Sequence, residues 1–254
     1  MNRRPGARLL AKTAILLIAA AALPAFLRAD SIEAHDLSLA LTPGFDAFGR
    51  ACLPLTLAAL ARSLLTALPS ALFYLPFSLT LALILTRARA PLRFALGSLL
   101  DFTSAMPGFL LALALGVLFP GSAFTFHLGA FLMVTPTAAR LFESQLLKLA
   151  AEEYIVAAEA LGAGTWHLSV RHYLPALLDS AGVIFPYMAV RLILIETSLA
   201  FLGLSVTPGH ETWGRLLAQG KDYFLEAPWI LWSAAIPLCL LIGSFHLLAN
   251  EERL

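Results

Sequence analysis

Charged residues are scarce in this sequence. Asp, Glu, Lys and Arg make up 13% of the 254 residues, whereas hydrophobic residues make up 59%. Soluble domains carry about a quarter charged residues, and the mean hydropathy of +0.82 is strongly apolar. This composition excludes an ordinary soluble domain and predicts one polytopic membrane unit. The net charge of +1 gives no reason to expect nucleic-acid binding.

Motifs for catalysis and metal binding are also missing. There is no Gly-x-x-x-x-Gly-Lys-Ser/Thr run, so the chain cannot bind ATP through the usual P-loop. His-Glu-x-x-His, paired metal-ligand clusters and Gly-x-Ser-x-Gly do not occur either. The two cysteines, Cys52 and Cys239, lack metal or redox spacing, and we expect both to be buried small hydrophobic residues. We therefore predict a chain that is not an enzyme and binds no metal or cofactor of its own.

Six segments with few or no charges are long enough to cross a bilayer. They cover approximately residues 9–27, 63–86, 100–119, 124–142, 180–202 and 229–249. The first follows a basic start, and its residues fit a cleaved signal peptide as well as a retained helix. We choose the helix, because no clear small-x-small cleavage site precedes Asp30. The prediction is an N-terminal anchor and periplasmic segment, 1–62, followed by a transmembrane core, 63–254.

Two charged residues, Arg191 and Glu196, fall inside the fifth segment. A charge at the centre of a membrane helix costs about 2.5–3.5 kcal/mol, so such residues usually face a bundle interior or a water-filled path. Because they are five residues apart, they do not share one helical stripe, and an ion pair between them is not guaranteed. Arg191 fits a pore or gate position and an ion pair near the interface equally well.

Residues 152–175, which we call the elbow, interrupt the apolar sequence with acids, an arginine and two histidines. Their periodicity predicts two short amphipathic helices. Gly162 and Gly164 are expected to stop the first, Thr165 to cap the second, and Pro175 to end it. The predicted apolar stripes are Tyr154, Ala157, Ala158 and Leu161 in the first helix, and Trp166, Val170, Tyr173 and Leu174 in the second. Such an elbow suits a surface loop that a partner protein could grip.

The elbow resembles the cytoplasmic coupling loop of binding-protein-dependent ABC importer permeases. Ala157, Ala158, Gly162, Leu174 and Pro175 match that family's spacing, whereas Val156 and His172 depart from it. Arg171-His172 before Leu-Pro is common in the peptide and nickel branch. The most specific match is the run 196–204, which begins at Glu196 and favours a functional role for it. Further matches are Gly44–Arg50, Asp101 with Pro107, Trp213-Gly214 and Ala227–Trp229.

This resemblance implies an all-α ABC type I importer permease fold with six transmembrane helices and a coupling loop at 144–178. It implies a second permease subunit, two ABC ATPases that bind ATP and Mg, and a periplasmic or lipid-anchored substrate-binding protein. The substrate would be a peptide or a related solute such as a nickel chelate, and the sequence does not distinguish them. The implied site residues form three groups: coupling to the ATPase, Glu153, Ala157, Ala158, Gly162, Arg171, His172, Leu174 and Pro175; pore or gate, Asp101, Pro107, Arg191 and Glu196; binding-protein contact, Trp213, Gly214 and Trp229.

The distribution of positive charge predicts the orientation in a bacterial inner membrane. With six spans and both termini in the cytoplasm, eleven Lys and Arg residues lie inside, five lie outside, and Arg191 lies in the membrane. This bias obeys the positive-inside rule and places the elbow in the cytoplasm.

Three alternatives compete with this interpretation. A stand-alone secondary transporter would show an internal repeat with ionisable residues in both halves, and neither is found. An intramembrane enzyme could use Asp101, His127 or Glu196, but no catalytic spacing supports it. The elbow could also be an amphipathic loop that binds nothing.

Overall fold

The computed structural model describes residues 42–105, 108–119, 122–204 and 211–251. Within these ranges the chain is helical, and its only strand-like pairing is an isolated bridge between Phe45 and Ala51. The helices are α1 (Cys52–Arg87), α2 (Ala90–Ala105), α3 (Gly108–Leu118), α4 (Ala123–Ala150), α5 (Glu153–Ala160), α6 (Thr165–Leu168), α7 (Leu174–Phe201), α8 (Trp213–Asp222) and α9 (Pro228–Glu251). The predicted helix at 9–27 and the predicted gate residue Pro107 lie outside the described residues.

Helix α1 is longer than the membrane segment predicted from the sequence. It begins at Cys52, eleven residues before the predicted start at Ser63, and therefore crosses the boundary predicted at 62/63. Residues 52–62 are mostly Leu and Ala, which favour helix. Pro54 lies in the first turn, where the missing N–H costs no intrahelical hydrogen bond.

The predicted span at 100–119 does not form one continuous helix. The structure divides this region between α2 and α3, whose axes are bent by 82°. The chain carries Pro107 followed by Gly108 at this position, and both residues disfavour a continuous helix. By length and composition, three described helices could cross a membrane, or four if the bent pair counts as one span. The count of six therefore stays a prediction.

The core forms where α1, α4 and α7 pack together. Their contacts use many small, fully buried residues, such as Ala59, Ala130 and Ala189, which let helices approach closely. Helix α8 lies between α7 and α9. Cys52 is buried as predicted, but the prediction for Cys239 is wrong, because α9 exposes that side chain.

Candidate functional site

The first half of the elbow ends as the glycine pattern predicts. Helix α5 stops at Ala160, and Gly162 adopts a φ of +84°, in the left-handed region that favours glycine. The Gly162 N–H donates to the Glu159 carbonyl at 2.9 Å, and the Ala163 N–H donates to the Ala158 carbonyl at 3.0 Å. These two bonds form a Schellman cap. The predicted stop at Gly162 is confirmed.

The second half of the elbow differs from the prediction. Thr165 is the first residue of α6 rather than its cap, and Pro175 lies in the first turn of α7 instead of ending a helix. Between α6 and α7, Ser169–Tyr173 forms a π-helical turn in which the Leu174 N–H donates to the Ser169 carbonyl. Proline cannot donate to the carbonyl four residues earlier and its ring crowds that carbonyl, so a wider turn accommodates it. The elbow therefore continues directly into the membrane helix.

The apolar residues of the elbow point in two directions. Ile155, Leu168 and Tyr173 are almost completely buried and attach the elbow to the bundle. The predicted stripe of α5 instead faces mostly away from the bundle: Tyr154 is 51% exposed and Leu161 is 89% exposed. The predicted stripe does lie along one side of α5, but the residue that α5 buries in the bundle is Ile155, which lies outside that stripe. The result is an apolar surface that this chain leaves uncovered.

Arg87 connects the elbow to the end of α1. Its guanidinium lies 3.2 Å from the Glu159 carboxylate and 4.8 Å above the Tyr173 ring. Both contacts tie α5 and the π-helical turn to a membrane helix. Arg87 was not predicted as a site residue and counted only toward the positive charge, because nothing in its local pattern indicated partners more than seventy residues away.

Asp101 lies in a charge network between α2 and α4. Its carboxylate accepts a 2.6 Å hydrogen bond from Arg140, which also binds the buried Glu143 at 2.6 Å. Arg93 approaches Glu143 at 3.8 Å. Asp101 was predicted as a pore or gate residue, and the structure shows that it is paired with a cation on the neighbouring helix. Arg140 and Glu143 were missed as site residues.

The structure does not bring Arg191 and Glu196 together. Glu196 is 4% exposed, hydrogen-bonds Ser63 of α1, and keeps its Oε2 without a partner among the described residues. Arg191 is half-buried on another face of α7, where it lies 3.3 Å from the Thr137 hydroxyl. Its guanidinium also lies 5.1 Å from the centre of the Tyr187 ring. Among the described residues, both contacts of Arg191 are therefore with neutral groups.

At the other end of the bundle, the segment before α1 packs against the segment before α8. Arg50 binds Asp46 at 2.7 Å and Glu211 at 2.8 Å. Burial alone would lower the pKa of Arg50, but its hydrogen bonds and charge interactions with Glu211 and Asp46 outweigh burial and raise it. The Trp229 indole N–H donates to the Phe45 carbonyl at 2.9 Å.

The residues predicted to contact a binding protein are largely internal. Trp213 is fully buried, and a Cβ on Gly214 would meet the backbone of α7 at Thr197 and Phe201. The exposed apolar side chains of this end include Phe224 and Leu225, in the turn between α8 and α9. Leu225 is 89% exposed.

No three His, Cys, Asp or Glu side chains within the described ranges come together in a way that could hold a metal ion.

Comparison with known proteins gives a consistent family match. Residues 74–250 match the model for the binding-protein-dependent transport system inner membrane component. A putative peptide transport system permease of Brucella suis is 30% identical over 159 residues, 61% of this chain and 52% of that protein. The glutathione transport permease of Pectobacterium atrosepticum is 29% identical over 153 residues, 60% of this chain and 51% of its own. The oligopeptide transport permease of Bacillus subtilis is 28% identical over 153 residues, 60% of this chain and 50% of its own. The chain thus spans about half the length of the curated relatives it matches.

Proposed function

This chain belongs to the family of binding-protein-dependent transport system inner membrane components, and from that premise we propose that it is the transmembrane permease subunit of an ABC importer for peptide-type substrates. The names of the similar permeases, which refer to peptides, oligopeptides and glutathione, support this substrate class. A nickel chelate is the less supported alternative. The working importer would include a second permease, two ATPases that hold ATP and Mg, and a substrate-binding protein. Both termini of this chain would lie in the cytoplasm.

The observation that carries this proposal is that α5 is attached to the bundle and yet exposes an apolar surface. Tyr154 and Leu161 lie on one side of this helix and are exposed, and the buried Ile155 attaches the helix to the bundle. Exposure of such apolar side chains to water is unfavourable, so this surface is typical of one that a partner protein covers. A groove on an ATPase subunit would cover them, with Glu153, Arg171 and His172 at the polar edge of the contact.

The elbow would transmit the movement of the ATPases into the bundle. Helix α4 leads into it, and α6, the π-helical turn and α7 follow one another out of it. A displacement of α5 therefore moves two core helices together. In this mechanism the bundle alternates between inward-open and outward-open states. Arg191, Glu196, Asp101 and Pro107 are the proposed residues of the path and its gate.

We place the contact with the binding protein at the end of the bundle opposite the elbow. The exposed Phe224 and Leu225 would touch the partner directly. Trp213 and Gly214 would support this turn from inside, and Trp229 would fix it to the segment before α1.

Replacing Gly162 by Asp tests the coupling mechanism. The change puts a side chain in a left-handed backbone conformation and a charge beside the apolar surface. A left-handed conformation costs L residues about 1–2 kcal/mol, with Asp at the lower end, so we expect peptide uptake by the complete importer to fall about fivefold. The protein should still reach the membrane, because nothing lies within 4 Å of the new Cβ.

Gly164→Asp is the matched control. It adds the same charge two residues away, where there is also open space but no positive φ. We expect it to retain most uptake. Normal uptake by Gly162→Asp would refute the coupling mechanism. Co-purification provides a separate test: two ATPases and a second permease should accompany the chain, whereas a stand-alone secondary transporter would purify without them.

A further inference from the structure

One face of α7 combines polar side chains with partial exposure. Tyr187, Arg191, Leu194 and Ser198 follow each other at spacings of four, three and four residues, which places them on one side of the helix. Each is half-buried or exposed, although neighbouring positions such as Leu192 and Ile193 are fully buried. Thr137 of α4 borders this stripe and hydrogen-bonds Arg191. This outer stripe of α7 is more polar than a surface meant for lipid.

Arg191 is the only positive charge of this stripe, and its described contacts are neutral. They are the Thr137 hydroxyl at 3.3 Å and the face of the Tyr187 ring at 5.1 Å. No carboxylate of the described residues lies within ion-pair distance, and Glu196 is buried on another side of the helix. Arg140 differs from Arg191 in this respect, because Asp101 and Glu143 compensate the charge of Arg140. An uncompensated guanidinium near the middle of a membrane helix favours a water-filled path over lipid.

We propose that Arg191 lines the aqueous path between this chain and its partner permease and makes that path selective for carboxylate-bearing solutes. This inference rests on the proposed importer function and specifies its substrate class. A guanidinium offers a planar set of donors that matches a carboxylate, such as the C-terminus of a peptide. The same charge repels a bare divalent cation. Tyr187 and Thr137 hold the guanidinium by contacts that leave its charge uncompensated.

Charge-selective labelling of a cysteine beside Arg191 tests the proposal. Leu194 is 42% exposed, and Leu194→Cys puts a thiol one turn from Arg191 on the same stripe. Cys52 and Cys239 are replaced by serine, since Cys239 is exposed. The complete importer in proteoliposomes is treated with two membrane-impermeant thiol reagents, the anionic sulfonatoethyl methanethiosulfonate and the cationic trimethylammonioethyl methanethiosulfonate. We expect the anionic reagent to be favoured at least about fivefold after correction for their rates with a free thiol, the size that a full charge a few ångströms away produces even in water.

The comparison variants decide the cause of the preference. Adding Arg191→Gln should abolish it, and Arg191→Lys should retain it. Arg89→Gln, an exposed arginine near the other end of the bundle, should leave it unchanged. No labelling by either reagent, or a preference that persists in Arg191→Gln, would overturn the inference. Labelling does not require transport, so failed peptide uptake with an intact charge preference would reject the peptide-importer proposal and retain the anion-selective path.

Discussion

Replacing Gly214 by Ala should destabilise the protein severely, although the change adds only one methyl group. Gly214 lies at the start of α8, where that helix crosses α7. The new Cβ would overlap the Thr197 carbonyl oxygen and the Phe201 nitrogen, and would lie 2.7 Å from the Ala200 Cβ. Two of these atoms are backbone, so no side-chain rotation can relieve the overlap.

The size of the effect follows from these contacts. Ordinary van der Waals contact begins at 3.4 Å, so α8 must move away from α7 by more than half an ångström. Overpacking of this kind costs about 1–3 kcal/mol and more where rigid atoms collide. We expect the upper end, about 3 kcal/mol, because Trp213 beside it is fully buried and must move as well. For a protein of this size, that corresponds to a Tm lower by about 6–12 °C.

Thermal unfolding of the detergent-solubilised chain, followed by fluorescence-detected size exclusion, measures this shift. Gly243→Ala in α9 is the matched control, since nothing lies within 4 Å of its Cβ, and its Tm should stay within about 2 °C of the native value. If Gly214→Ala unfolded at the native temperature but bound the substrate-binding protein poorly, Gly214 would be a surface contact and the packing argument would be refuted.

The contacts of the elbow and of the opposite end yield three more predictions. Arg87→Ala removes an ion pair and a cation–π contact that are together worth about 1–2 kcal/mol, so peptide uptake should fall while ATPase activity persists. The control Arg89→Ala should change neither uptake nor ATPase activity. Equal uptake by both variants would contradict the role of Arg87. Ile155→Ala empties a fully buried position and should cost about 2–5 kcal/mol, which limited proteolysis would detect as faster cleavage within the elbow, unlike the exposed Val156→Ala. Arg50→Gln removes the 2.7 Å partner of the buried Asp46 and the 2.8 Å partner of Glu211, which Arg215 still approaches at 3.9 Å. The change should lower the Tm, with a loss of about 3 kcal/mol, and an unchanged Tm would show that these mostly buried pairs contribute no net stability.

The glycine and proline positions show which features the local sequence pattern predicts correctly and which it does not. Gly162 was predicted to stop a helix, and it does, because a positive φ after the last turn is a local requirement that glycine meets. Pro175 was predicted to end a helix by the same kind of reasoning, and that was wrong. The π-helical turn ahead of it relieves the clash, and the buried Tyr173 and Leu177 on either side hold this geometry. A local rule cannot include contacts made by distant helices.

Side-chain direction was the other source of error. The spacing of Tyr154, Ala157 and Leu161 predicted a common face, but the face that enters the core contains Ile155. Both faces of α5 are apolar, so periodicity alone could not choose between them. Arg87 and Glu159 likewise carry no local sign of their contact, since they are 72 positions apart.

The sequence by itself determined the apolar composition, three of the long apolar helices, the glycine stop of the elbow and the family, because these depend on residue type and short-range spacing. Only the tertiary structure decided which charges are compensated: Arg140 pairs with carboxylates on two helices, whereas Arg191 meets a hydroxyl and an aromatic ring. It also decided that α5 leaves apolar surface uncovered and that Gly214 is a packing position. The physical reason is that ion pairing, burial and steric overlap depend on distances between helices, and those distances follow from the packing of the whole bundle.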